Sequence, residues 1–248
     1  MRAIDRCAQT NRWRHYATGE KLLLALGLMI ISLVSVGWAG QIGLLIATIA
    51  LMKAGAGLRF RDIFKAARVP MLFIVTGTVA QLVSVRMTGL VPTLSLVSGD
   101  AAYSACFVAL RSTVCVSALL LLALTTPLSS IVQLLQRIGL NAEISDIAMA
   151  MFRLIWLLLD CLEAGQQSLA ARLGYTNNRR MLRSNGLLLA SLLPRVLGRA
   201  QRMEAGLAAR GYSGRLNFIS VEQPASTVRL VMISCLLGTV AVLMWSFP

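Results

Sequence analysis

From Ala101 to Thr126 the sequence holds one charged side chain, Arg111, in an otherwise apolar or weakly polar run. A bilayer core asks for about 20 such residues per helix, within a range of roughly 17–25, so this stretch is long enough to cross with some tilt. Four more runs follow the same rule: Leu22–Ala39, Gln41–Leu58, Val69–Val85 and Val228–Trp245. Lys53 falls near the end of the second, where its ammonium can snorkel to the interface. Pro70 falls in the first turn of the third, where a missing N–H costs nothing. With 57% hydrophobic residues in 248, a soluble domain would expose large apolar patches. The reading is an all-α, polytopic membrane protein with five transmembrane helices. Ile147–Leu159, which contains Arg153, and Leu187–Leu193 are too short to span and read as interfacial or buried helices.

Charge orients these spans. The net charge is +14. Arg2, Arg6, Arg12, Arg14 and Lys21 precede or open the first span, and Lys53, Arg59, Arg61, Lys65 and Arg68 follow the second. Twelve more lie between Arg137 and Arg229, which puts 22 of the 24 basic residues on one side of a five-span arrangement. Only Arg86 and Arg111 fall elsewhere. Cytoplasmic segments collect Lys and Arg, so the N-terminus is expected in the cytoplasm and the C-terminus outside, in the cell (inner) membrane. The polar lead before Leu22 is long for a signal peptide, and Leu22–Ala39 reads as a retained span. Basic residues set between apolar spans, rather than gathered on one soluble face, argue against nucleic acid as a partner.

Three parts result: a four-span membrane domain over 1–126, a cytoplasmic or interfacial region over 127–227, and a final span over 228–248. The middle region is not low-complexity. Ile131, Leu134, Leu135 and Ile138 recur at helical spacing with polar residues between them, as in helices that lie under a membrane and offer one face to a partner. The region also repeats itself. Leu169-Ala170-Ala171-Arg172 returns 38 residues later as Leu207-Ala208-Ala209-Arg210, and Gly174-Tyr175 and Gly211-Tyr212 follow the two copies. Glycine after helical residues marks a helix end. Each copy therefore sets an arginine in the last turn of a helix, beside small residues that let another backbone approach. A guanidinium offers a fixed fork of donors to a carboxylate. Arginine also suits any helix C-terminus through the macrodipole, at about 0.3–1 kcal/mol.

Other chemistries lack their residues. Cys7, Cys106, Cys115, Cys161 and Cys235 show no metal-ligand spacing and read as buried thiols, and His15 is the only histidine. Met149 and Met151 read as packing. No G-x-x-x-x-G-K-[ST] loop occurs, so any ATPase is another chain. The ten acidic residues form no paired-carboxylate cluster of the kind a membrane enzyme uses with Mg²⁺. A self-sufficient secondary transporter or channel is the competing class, but it needs polar residues in several spans. Arg111 is the sharpest charge inside a span, with pairing inside the bundle as the plain alternative to a functional role. Asp100 is its neighbour only if helix ends meet. Gly55 and Gly57 read as a helix end.

The two arginine motifs, Ala171-Arg172-Leu173 and Ala209-Arg210-Gly211, resemble those of the T component of energy-coupling factor transporters, in the CbiQ-type branch associated with cobalt uptake. Ile4-Asp5-Arg6, Thr10-Asn11-Arg12-Trp13-Arg14, Gly19-Glu20-Lys21-Leu22 and Thr125-Thr126-Pro127 carry the same resemblance, which covers essentially the whole chain. The first motif departs from the family pattern, with Leu173 where a small residue is usual. The resemblance implies a non-enzymatic coupling subunit of an importer for cobalt, or alternatively for nickel or a vitamin. It implies coupling helices in the cytoplasm that carry Ala171, Arg172, Ala209, Arg210 and Gly211 to two cytoplasmic ABC-type ATPase subunits. A separate substrate-binding membrane subunit (CbiM-like) and a small accessory membrane subunit (CbiN-like) complete the assembly. The resemblance further implies that no cofactor belongs to this chain. ATP with its magnesium sits on the ATPases, and cobalt on the partner membrane subunit, in keeping with a chain whose one imidazole lies in the N-terminal segment.

Overall fold

The computed structural model describes residues 7–88, 91–96, 99–211 and 226–246. After a 3-10 turn at Arg12–His15, helices α1 (Thr18–Val34) and α2 (Trp38–Ala50) form a hairpin, and α2 runs on through a π-turn, Leu51–Gly55. Helix α3 (Phe60–Leu82) leads into strands β1 (Val83–Thr88) and β2 (Val91–Leu96). Then come α4 (Gly99–Thr125), α5 (Leu128–Ile138), α6 (Ala142–Ala171), α7 (Asn178–Ala208) and α8 (Thr227–Ser246). Three helical stretches among the described residues are long and apolar enough to cross a membrane: Trp38–Gly55, Phe60–Leu82 and Ala102–Thr125. Thr227–Val242 is a shorter apolar helix, and α1 is apolar beyond its first turn. Each of the five expected runs thus coincides with a helix.

Two details differ from the expectation. Arg61, Lys65 and Arg68, read as loop, lie in the first turns of α3, because hydropathy senses lipid whereas a helix tolerates Lys and Arg once it leaves the hydrocarbon. At its other end α3 stops at Leu82. Val83–Val85, read as the end of a span, pairs instead in an antiparallel hairpin registered from Val83 opposite Leu96 to Thr88 opposite Val91. The architecture is helical apart from this hairpin.

The chain folds as two compact units, Met1–Ile131 with Ser220–Pro248, and Val132–Ile219. The first is organised around α4, which packs against α1, α2 and α3, while α8 packs on α1. Its core joins Leu24 and Leu28 of α1, Leu44 of α2, Met52, and Val114, Ala118, Leu121 and Leu124 of α4. The α4 members recur every three or four residues, as one helix face must. Small polar residues stitch the helices together. The Thr48 and Ser117 hydroxyls pair at 3.0 Å. Buried Gln41 accepts from Ser32 Oγ at 2.9 Å and donates to the Ser32 carbonyl at 2.7 Å. Such bonds hold helices where apolar burial supplies no drive, at about 0.6 kcal/mol each. Gly55 sits in the π-turn, where any side chain would overlap the Trp13 ring. Helix α3 buries no side chain and leaves Phe64, Val69, Phe73 and Val79 exposed, a surface suited to lipid or a membrane partner.

The second unit is built on α6 and α7, which run 30 and 31 residues. The short apolar runs Ile147–Leu159 and Leu187–Leu193 are internal stretches of these long helices. Gly165 allows close packing, since a methyl group there would overlap Leu188. Leu188 and Leu192 are this unit's only buried apolar side chains among the described residues. Ile144, Ile147, Met151 and Ile155 form an exposed stripe along α6. The pair has almost no core of its own and offers its apolar faces outward.

Candidate functional site

The repeated alanine–arginine motifs close α6 and α7. Asn141 opens α6, its side chain accepting from the Glu143 N–H at 3.4 Å. Arg172 is the C-cap of α6, its N–H shared between the Ser168 and Leu169 carbonyls. In α7, Ala209 is the C-cap and Arg210 stands one residue further, its N–H donating to the Leu207 carbonyl at 3.0 Å. Both arginines therefore sit at or just past a helix end rather than within the last turn. The residue after each is left-handed, with φ 58° at Leu173 and φ 72° at Gly211. Ala171, Arg172, Ala209, Arg210 and Gly211 are all exposed. Neither guanidinium finds a partner among the described residues. Tyr212 lies outside them.

Helix α7 separates the two motifs. At 1.5 Å per residue its 31 residues extend about 46 Å, less whatever bend Pro194 introduces. One carboxylate group cannot serve both arginines, so the structure presents two separate donor sites.

Their surroundings differ. At the first, the turn after α6 is tied to α7: Ser184 Oγ donates to the Gly174 carbonyl at 3.1 Å, and the Tyr175 hydroxyl donates to Asn185 Oδ1 at 3.1 Å. Arg210 instead lines a groove of about 450 Å³ between α6 and α7, together with Arg153, Arg199, Arg202, Trp156 and Asp160. Four guanidinia against one carboxylate make a strongly cationic hollow, with Leu154, Trp156, Leu157 and Met203 also in its lining. Sequence reading noted Arg153 only as a charge interrupting an apolar run and passed over Arg199 and Arg202, although Arg199, Arg202, Gly206 and Arg210 recur at helical spacing.

Arg111 belongs to the first unit. Its Nη2 donates to the Ser35 carbonyl at 2.6 Å, and the guanidinium lies 4.9 Å from the Phe107 ring centroid. Ser35 is the C-cap of α1, so the cation meets the negative end of that helix. The pairing is internal to the bundle. Asp100 lies in the same helix α4 eleven residues earlier, about 16 Å away along the axis; its side chain lies outside the described residues. The α1–α2 turn is also where Trp38 packs against Tyr103 and Phe107, with ring centroids 5.1 and 5.6 Å apart. Arg111 is thus level with a helix end and its aromatic cluster rather than with the middle of α1. The cysteines are free thiols, but none is buried as the sequence reading had them: Cys106 and Cys235 are exposed, and Cys7, Cys115 and Cys161 are half-buried.

Comparison with known proteins identifies the family of the chain. The family model described as cobalt transport protein, CbiQ, matches residues 10–220. The cobalt transport protein CbiQ of Rhodobacter capsulatus is 32% identical over 231 residues, covering 93% of each chain. That of Salmonella typhimurium is 25% identical over 225 residues, covering 86% of this chain and 98% of its own. The chain is a helical, multi-pass membrane protein that belongs to the CbiQ family of cobalt transport proteins.

Proposed function

We propose that this chain is the transmembrane coupling subunit of an energy-coupling factor importer for cobalt. The observation that carries the reading is the pair of exposed arginines at helix ends, Arg172 and Arg210, which have no partner among the described residues and are held apart by the length of α7. Two copies of one motif so far apart suit two copies of one partner, as two ABC-type ATPase subunits would provide. Each guanidinium docks a carboxylate on one ATPase, and the bidentate geometry transmits direction as well as force. ATP-driven closure of the ATPases moves α6 and α7. The movement passes to a separate substrate-binding membrane subunit that holds the cobalt. The absence of a phosphate-binding loop from the sequence leaves ATP and its magnesium to the ATPases. Both relatives carry cobalt in their names, which favours cobalt as cargo over nickel or a vitamin.

In the cell this reading places 127–227 in the cytoplasm, the N-terminus with it, and the C-terminus outside, following the 22 of 24 basic residues. Single cysteines at Asn177 and Pro248 are expected to label from opposite sides of the inner membrane. The decisive test is the double variant Arg172→Ala/Arg210→Ala, expressed with the ATPase and followed by co-purification and cobalt uptake in cells. The chain is expected to insert normally yet fail to retain the ATPases. Native co-purification and native uptake would reduce both arginines to helix-end anchors.

A further inference from the structure

Two adjacent buried charges at the start of α1, Glu20 and Lys21, have no role in the arginine docking. Their relative exposures are 3% and 4%. Glu20 Oε1 accepts from the Ser226 N–H at 2.9 Å and pairs with Arg229 Nε at 3.4 Å. Arg229 is further held over the Tyr16 ring, 4.9 Å from its centroid. Ser226 immediately precedes α8, so the carboxylate meets both an N-terminal N–H of that helix and a cation in its first turn. Lys21 Nζ donates to the Thr125 carbonyl at 3.3 Å. Thr125 is the last residue of α4, so the ammonium meets the negative end of that helix. Asn11 Nδ2 reaches the same end, at the Leu124 and Thr125 carbonyls, 3.2 and 3.1 Å away.

These contacts have one thing in common. The C-terminus of α4 and the N-terminus of α8, both within the first unit, bracket the stretch of chain from 126 to 226 that contains the second unit. Consecutive residues on a helix point about 100° apart, and α1 packs on α4 on one side and on α8 on the other. Glu20 and Lys21 therefore grip both roots of the intervening segment from a single turn of α1. Further along, Gly27 admits Leu237 of α8 so closely that any side chain would overlap it, which keeps α1 and α8 together beyond the first turn. Buried charge pairs are poor sources of net stability, because desolvation offsets attraction. Their use is to fix one geometry: Glu20 and Lys21 are themselves buried, and each gives up the contact that offsets its own desolvation if its helix end moves away.

We infer that Glu20 and Lys21 are positioning residues that clamp the two roots of the 127–226 segment to α1, so that force arriving through that segment moves the membrane helices as one body. The inference rests on the coupling reading for its consequence, though not for its geometry.

The test uses the full chain with its ATPases in vesicles, measuring ATP hydrolysis and cobalt uptake in the same preparation. Spin labels at Leu128 and Val228, in a cysteine-free background, report the separation of the two roots. Glu20→Ala and Lys21→Met are expected to broaden that distance distribution and to cut cobalt taken up per ATP by about tenfold or more, with the ATPases still bound. Glu20→Gln keeps an acceptor for the Ser226 N–H, and Lys21→Arg keeps the cation; both are expected to recover most of the coupling. Should the alanine variant fail to fold, Glu20→Gln still decides the matter through an intermediate loss of uptake per ATP. A native distance distribution with native uptake per ATP in Glu20→Ala or Lys21→Met would overturn the clamp. So would equal damage from the conservative and disruptive variants, which marks a merely structural role. Broadened distances in Glu20→Ala and Lys21→Met, with a native chain that itself never retains an ATPase, would uphold the clamp and sink the coupling reading instead.

Discussion

The two arginine-bearing helix ends adopt the same turn with different residues. After Arg172 the left-handed position is taken by Leu173, and after Arg210 by Gly211. Matching the copies by letters aligns Gly174 with Gly211, because each precedes a tyrosine. Matching them by conformation aligns Leu173 with Gly211. The departure noticed in the sequence therefore falls at the position where it costs most, since a left-handed residue with a Cβ carries a penalty of about 1–2 kcal/mol. The first end is braced by Ser184 and Tyr175 contacts within its own unit. The second lines a groove whose other arginines come from both helices. One end is a strained turn held in place by neighbours; the other is relaxed and set among cations.

If that difference matters in function, the second end dominates docking. Arg210→Ala is expected to weaken ATPase retention by about 2–5 kcal/mol, largely because the partner carboxylate is left unpaired, and to uncouple hydrolysis from uptake. Arg210→Lys is expected to restore only part, because an ammonium cannot form the fork. Affinity measured with purified ATPase checks both. Arg172→Ala should follow the same direction with a smaller loss. A larger loss from Arg172→Ala would reverse the ranking, and the control Arg183→Ala, outside both motifs, is expected to change little.

A subtler probe leaves every charge in place. Gly211→Ala adds one methyl into open space, since nothing lies within 4 Å of where its Cβ would stand. Its cost is conformational alone, about 1–2 kcal/mol against the φ of 72°. The helix end is expected to shift out of the left-handed turn and re-aim Arg210, lowering ATPase affinity without changing net charge. Unchanged affinity would mean that the arginine works as a diffuse charge rather than as an aimed fork.

Much of this was legible in the sequence, for physical reasons that also mark where legibility stopped. The spans were readable because hydrocarbon imposes a length and a composition. Their ends were not, because Arg61, Lys65 and Arg68 are good helix formers that hydropathy scores as loop. The β1 strand was hidden by merging Val83–Val85 into a span, although Val83, Val85 and Met87 alternate with Ser84, Arg86 and Thr88. The helix-end arginines were visible because the motif recurs. The groove around Arg210 joins two helices distant in sequence, and only its α7 half carries a spacing signal. Arg111 found a backbone carbonyl, which has no letter in the sequence, whereas the reading had looked for an acid. The grip of Lys21 on Thr125 was unreadable for the same reason.

The smallest expected effect tests the comparison most directly. Leu173 is 66% exposed, so replacing it with glycine removes little buried surface. The φ of 58° that leucine adopts under strain is one that glycine adopts freely. Against this stands the extra freedom glycine gives the unfolded chain, of the order of 0.4–1 kcal/mol. The balance is a gain between nothing and about 1.5 kcal/mol, seen as a small rise in the unfolding midpoint of the purified chain in detergent. The contacts of Ser184 and Tyr175 already hold the turn, so ATPase affinity through Arg172 should stay within twofold of native, roughly 0.4 kcal/mol. A Leu173→Gly variant that loses stability would show that the leucine packs against something when the chain is in its membrane or with its partner. A variant that gains stability and also binds the ATPase more tightly would show that the strain at the first end restrains docking. The two ends would then differ by design of the turn rather than by the company each arginine keeps.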